Sequence, residues 1–181
     1  MKFTKIMVIA FALIGILLVA CTPDAAKKPR EVFQPDWYGE EIENDVYLFS
    51  YGNGKNINSN MSETSAKSNA MAEAALGVEA YVKTMMKNFM SEAGVENPEV
   101  VSLTEQATKV IANQKFNGTS FTKRKTYVLN NNRYKTFIQV GIPKAAVNKA
   151  TMDKIKNEEA LYNRFRASQS FEELDREIEK Y

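Results

Sequence analysis

Fifteen consecutive residues without a charge, Ile6 to Ala20 in the run "IMVIAFALIGILLVACTPD", constrain how this chain can be used before any fold is considered. Lys2 and Lys5 precede the run, no acid does, and small and aliphatic residues close it just before Cys21. A basic start, a short apolar stretch and a small-residue end are the parts of an export signal. A permanent transmembrane helix needs about 17–25 apolar residues to cross a hydrocarbon core of roughly 30 Å, and this run is shorter. A helix buried in a domain core also fits poorly, because the run is apolar on every side and ends at "TPDAAKKP". Residues 1–20 are therefore expected to be a signal peptide rather than part of a folded unit.

Cys21 is the only cysteine, and the chain has no histidine. The sequence Leu18-Val19-Ala20-Cys21 resembles the lipobox of bacterial lipoproteins, with leucine, a small or aliphatic residue, alanine or glycine, then cysteine. That resemblance implies cleavage before Cys21 and diacylglycerol on its thiol, so Cys21 is the expected lipidation site. Thr22 follows it, and the first aspartate stands one place later at Asp24. By enterobacterial-type sorting this favours the outer membrane over the inner membrane.

Removal of the leader takes the 24 basic residues to 22, equal to the 22 acidic ones. A neutral balance argues against a nucleic-acid partner, which needs a clustered basic face. With no second cysteine there is no disulfide, so stability must come from a packed core, which a domain of this length can supply.

Residues 21–35 carry Pro23, Pro29 and Pro35 with Lys27, Lys28 and Arg30 and little periodicity, and read as a linker reaching at most about 45–50 Å. A domain is expected over 36–142 and a helical extension over 143–181. Within the domain, Val46 to Tyr51 reads as a strand ended by Gly52 and Gly54. A long helix is predicted over 62–92, stopped at Gly94, with Ala66, Ala70, Ala74, Val78, Tyr81, Met85 and Phe89 on its inner face. The alanines should let its first half lie tight against a sheet. A second helix follows Pro98. Then "TSFTKRKTYVL", "NNN" and "RYKTFIQVGI" form a hairpin whose asparagines tolerate the positive φ of a tight turn. One helix is expected over 144–167, and a last one from the capping box Ser170-Phe171-Glu172-Glu173. The fold class is α+β: a small, mostly antiparallel sheet of a strand plus a β-hairpin, packed by the long helix, with C-terminal helices.

Pro35 and Trp37, then Tyr51-Gly52-Asn53-Gly54, the alanine-spaced helix and the hairpin from Gly118 to Ile142 are similar to the LPP20 family of bacterial lipoproteins. The likeness covers about residues 35–142. It implies an outer-membrane lipoprotein with a small α+β domain, without known catalytic residues, and some relatives assemble into rings or discs around the flagellar motor. The expected function is structural or assembly work in the cell envelope through self-association or an envelope protein. The alternative is a periplasmic regulatory lipoprotein that activates an envelope enzyme.

No residue pattern points to catalysis. "YGNGK" lacks both the dinucleotide glycine pattern and a Gly-Lys-Ser/Thr ending. Zinc sites draw on Cys and His, which the processed domain does not offer, and no other cofactor is implied. Glu40-Glu41 and Glu158-Glu159 are adjacent and diverge on regular structure, and Ser65 and Ser68 lack a base. Met71, Met85, Met86 and Met90 read as gap-filling core more readily than as a binding surface. Lys123 and Lys125 fall on one strand face and Arg124 on the other, usually the mark of a solvated or guarded edge strand, the functional alternative being contact with anionic lipid headgroups or glycan phosphate. The sparse apolar positions Leu161, Tyr162 and Phe165 should pack either on the parent domain or on a second copy.

Overall fold

The computed structural model describes residues 33–179; the expected signal peptide, Cys21 and most of the expected linker lie outside them. Residues from Gln34 onward form one compact unit. Its elements are β1 (Tyr47–Asn56), α1 (Ser59–Glu92), α2 (Pro98–Ala112), β2 (Ser120–Val128), β3 (Tyr134–Pro143), α3 (Lys144–Lys156), α4 (Glu159–Phe165) and α5 (Gln169–Ile178). The sheet order is β1-β3-β2 with both pairings antiparallel. The expected α+β architecture is the one observed.

β1 does not end at its glycines. It runs through Gly52 and Gly54 to Asn56, because α1 crosses here at backbone distance. A Cβ on Gly52 would stand 2.2 Å from the Ala70 nitrogen and 2.4 Å from the Ala66 carbonyl oxygen; one on Gly54 would stand 2.4 Å from the Ser62 carbonyl oxygen. Glycine in the strand and alanine in the helix are two halves of one contact. Ser62 completes it: its fully buried hydroxyl lies 2.9 Å from the Gly54 carbonyl oxygen and 3.0 Å from Thr136 Oγ1.

The buried stripe of α1 is Ser62, Ala66, Ala70, Ala74, Val78, Val82, Met86 and Phe89. Positions four apart on a helix of 3.6 residues per turn advance by about 40° at each step. The inner direction therefore winds round the helix: the first half faces the sheet, and Met86 and Phe89 face the other helices. The sequence expectation placed Tyr81 and Met85 on the stripe; both are only half-buried. Asn58 caps α1 by accepting from the Asn60 and Met61 amides, and Gly94 at φ +63° follows its C-cap, where the Val95 amide reaches back to the Met90 carbonyl at 2.9 Å.

The hairpin turn uses Asn132 at φ 57°, the one positive-φ residue other than glycine among the described residues. β3 is central and buried on both faces, β2 is an almost wholly exposed edge, and a register shift interrupts their pairing between Phe121 and Lys123.

The helix expected over 144–167 is two helices. It breaks at Asn157, whose amide closes on Asp153, and restarts at Glu159. The break swings Leu161 and Phe165 inward, both fully buried, with the Phe165 ring 5.9 Å from Phe89. Phe171 meets Phe89 edge-on at 5.5 Å. Of the two packing choices left open for this segment, Leu161 and Phe165 take the parent domain, whereas Tyr162 stays at the surface, 6.2 Å from Phe171. The cap of the last helix is Ser168 rather than Ser170: Ser168 Oγ accepts from the Phe171 amide, and Ser170 is held by Glu92 instead.

Candidate functional site

The sheet face turned away from α1 carries the least generic chemistry of the unit. The two-residue period of β1 brings Tyr47, Phe49 and Tyr51 to this face, β3 adds Lys135, Phe137 and Gln139, and β2 adds Lys123, Lys125 and Tyr127. The segment before β1 closes over it. Tyr38 packs edge-on against Phe137 at 4.7 Å and against Tyr51 at 5.6 Å, and Trp37 stacks on Tyr51 at 6.4 Å. Phe137 is fully buried by this cover. The arm over this face is built by Pro35, which is buried, and by the half-buried rings of Trp37 and Tyr38.

Polar groups under the arm are paired in a chain. Gln139 Nε2 donates to the Tyr51 hydroxyl at 2.9 Å, that hydroxyl donates to the Glu40 carbonyl at 2.9 Å, and Thr122 Oγ1 donates to Gln139 Oε1 at 2.7 Å. Asn53 Nδ2 donates to the Tyr38 hydroxyl at 2.7 Å. Lysines sit at the rim over aromatic faces: Lys123 is 5.9 Å from the Trp37 centroid and Lys135 is 4.7 Å from that of Phe137. Lys123 and Lys125 share this face, while Arg124 turns to the helix side and donates to both oxygens of Glu63 at 2.9 Å. Lys67 joins at 2.7 Å. The hydrogen bonds from Lys67 and then Arg124 hold the Glu63 carboxyl below its ordinary value.

Two of the grooves on the described surface lie near these elements. One of about 880 Å³ runs beside β1, between the arm (Glu40, Glu41, Glu43) and Glu73 of α1. The other, about 400 Å³, lies between α1, α3 and α5, where the Tyr81 hydroxyl donates to Asn148 at 3.0 Å and Glu173 and Glu177 flank it. Burial raises the Tyr81 pKa above its usual range. Near it, Glu92 accepts from the Ser168 hydroxyl at 2.6 Å and from the Ser170 amide at 2.8 Å and hydroxyl; these bonds, the Ser168 one foremost, lower its pKa to about 2. This is a staple from the end of α1 to the start of α5.

Cys21, the one residue for which the sequence predicts a modification, lies outside the described residues. The glycines of "YGNGK" serve the α1 contact. Glu40 and Glu41 stand at the β1 groove and Ser65 lies against Gly54, but Glu158 and Glu159 flank the α3–α4 break and line neither of these two grooves. Among the described residues no group of three or more His, Cys, Asp or Glu is placed to hold a metal, and no helix is long and apolar enough to cross a membrane. The aromatic arm was missed because "PDWYG" has no periodicity; its signal was the double-sided apolar run "FIQVGI" in β3, which requires a cover on each face.

The geometry defines an α+β domain with a covered sheet face and, among the described residues, no further strand on either outer edge of the sheet. No family model, curated protein or solved structure matches the chain.

Proposed function

We propose that this chain is a bacterial envelope lipoprotein, held on the outer membrane through Cys21, whose folded unit is a structural or assembly component rather than an enzyme. Membership of the LPP20 family is part of the same proposal. The observation that carries it is Leu18-Val19-Ala20-Cys21, whose first three residues close a run of fifteen uncharged residues, with the chain's only thiol directly after it. Acyl chains on that sulfur and on the new amino terminus give the two or more anchors that stable membrane attachment takes, at about 0.8 kcal/mol per buried CH₂. The compact unit starts at Gln34, so the tether between anchor and domain is short and keeps the domain near the surface.

The test is Cys21→Ser in the full chain. The wild type is expected to pellet with outer membranes and to incorporate labelled palmitate, and the variant to lose the label and keep its leader. Wild-type-like labelling and fractionation of the variant would overturn the reading.

A further inference from the structure

Among the described residues neither outer edge of the sheet pairs with a further strand, and the charges flanking the two edges are mostly opposite, Lys55 near the end of β1 being the exception. Along β1, the Tyr47 amide is taken by Asn44 Oδ1 and the Asn53 carbonyl by Asn69, but between them the edge has no backbone partner among the described residues outside the sheet. The groove of about 880 Å³ runs beside that stretch, and Glu40, Glu41, Glu43 and Glu73 line it. None of the four carboxylates is in an ion pair with a described residue. Along β2, the opposite edge, Lys123 and Lys125 are exposed, and with Lys135 behind them they meet aromatic rings but no carboxylate among the described residues. Three strands hold the two edges about 10 Å apart, too far for ion pairs within one chain.

We propose that these edges are complementary halves of one contact between copies of this chain, the basic β2 edge of one copy adding to the acidic β1 edge of the next. The inference deepens the assembly reading above by naming its contact, and it does not depend on the lipid anchor. Direction follows from topology. β1 and β2 both run antiparallel to β3, so they run the same way, and joining β2 to a neighbour's β1 continues the sheet with a parallel pair. A two-fold dimer would set β2 against β2 or β1 against β1, lysine facing lysine or glutamate facing glutamate. Charge thus selects the head-to-tail contact, which leaves a free edge at each end of an open assembly and none in a closed ring. Edge lysines ordinarily guard a strand against pairing, and here only a carboxylate-lined edge lifts the guard.

The full chain in detergent is treated with a short bis-maleimide. The Glu41→Cys, Lys125→Cys double variant is expected to give a ladder of dimers, trimers and larger products, and each single variant no ladder. A dimer from a single variant alone would show a two-fold contact and overturn the proposal, as would a double variant without a ladder. Wild type reports on Cys21 separately: a product there reveals a free thiol and counts against the anchor, not against the edges. Charge supplies the second arm. Lys123→Glu with Lys125→Glu, or Glu41→Lys with Glu43→Lys, is expected to weaken association about tenfold or more in sedimentation at low salt. Mixing the two variants is expected to restore it. All four positions are exposed, so circular dichroism should match wild type. Unchanged association in the reversed variants would overturn the proposal.

Discussion

Gly52→Ala adds one methyl group at the place where α1 and β1 touch. It meets the Ala70 nitrogen at 2.2 Å, the Ala66 carbonyl oxygen at 2.4 Å and the Ala70 Cα at 2.7 Å, all backbone atoms that no rotamer change can move. Reaching even a 3.4 Å contact requires the helix to retreat by about 1.2 Å. The retreat opens a gap beneath Ser62, Ala66 and Ala70 and stretches the Ser62 bonds to Gly54 and Thr136. Overpacking of this kind costs typically about 1–3 kcal/mol, and a loosened buried hydroxyl adds about 1 kcal/mol or more. The alanine's entropic benefit in the unfolded chain returns less than about 1 kcal/mol. A net loss of about 3 kcal/mol corresponds, at a urea slope of about 2 kcal/mol/M, to a midpoint lower by about 1.5 M. Trp37, the only tryptophan, stacks on Tyr51 one residue away and gives the fluorescence readout. Gly77→Ala is the control. It is a helical glycine whose added Cβ meets only Ser50 Oγ at 3.5 Å, and it should stabilise by about 0.5–1 kcal/mol. A Gly52→Ala midpoint equal to or above wild type would refute the close-approach argument.

Truncation after Pro143 should leave an unfolded chain by circular dichroism and proteolysis, since Val147, Ile155, Leu161, Phe165 and Phe171 complete the core; a folded product would contradict this. Phe165→Ala should cost about 3–5 kcal/mol in denaturant unfolding, because its cavity lies against Phe89 deep in the unit. Glu92 has a folded-state pKa of about 2 against an ordinary 4.5, so its contribution is fully present above about pH 4.5 and is lost as pH falls towards 2. Glu92→Gln should flatten the stability profile across that window, and an unchanged slope in acid titrations of the variant would count against the staple.

Sequence patterns disclosed most of the elements but not all of their roles. The hairpin was legible because β-period segments flank an asparagine turn, and the long helix because its small residues recur at fours. Its lower half was misread because a stripe averaged at three and four stays on one face, whereas the real one keeps to fours through Val82 and Met86 and winds away from the sheet. Gly52 and Gly54 looked like strand terminators since local propensity says so; only the helix lying on them explains their place inside β1. The break at Asn157 has no strong breaker, and the inward pull on Leu161 and Phe165 is a tertiary effect. Of the candidate site, the alternation of Lys123, Arg124 and Lys125 was readable. The pairing of an acidic edge with a basic one needed the strand order.

The arm over the outer sheet face also has a mechanical meaning. The chain enters the unit at Gln34, and the first side chains it meets there, Trp37 and Tyr38, hold the sheet through ring contacts and two hydroxyl-linked bonds rather than through a strand ladder. Tension applied from the amino-terminal side therefore peels these contacts one after another before it loads β1, whose ladder to β3 would have to shear as a whole. The first thing such a pull uncovers is Phe137, buried at rest. Under such a pull the arm would therefore give way before the sheet.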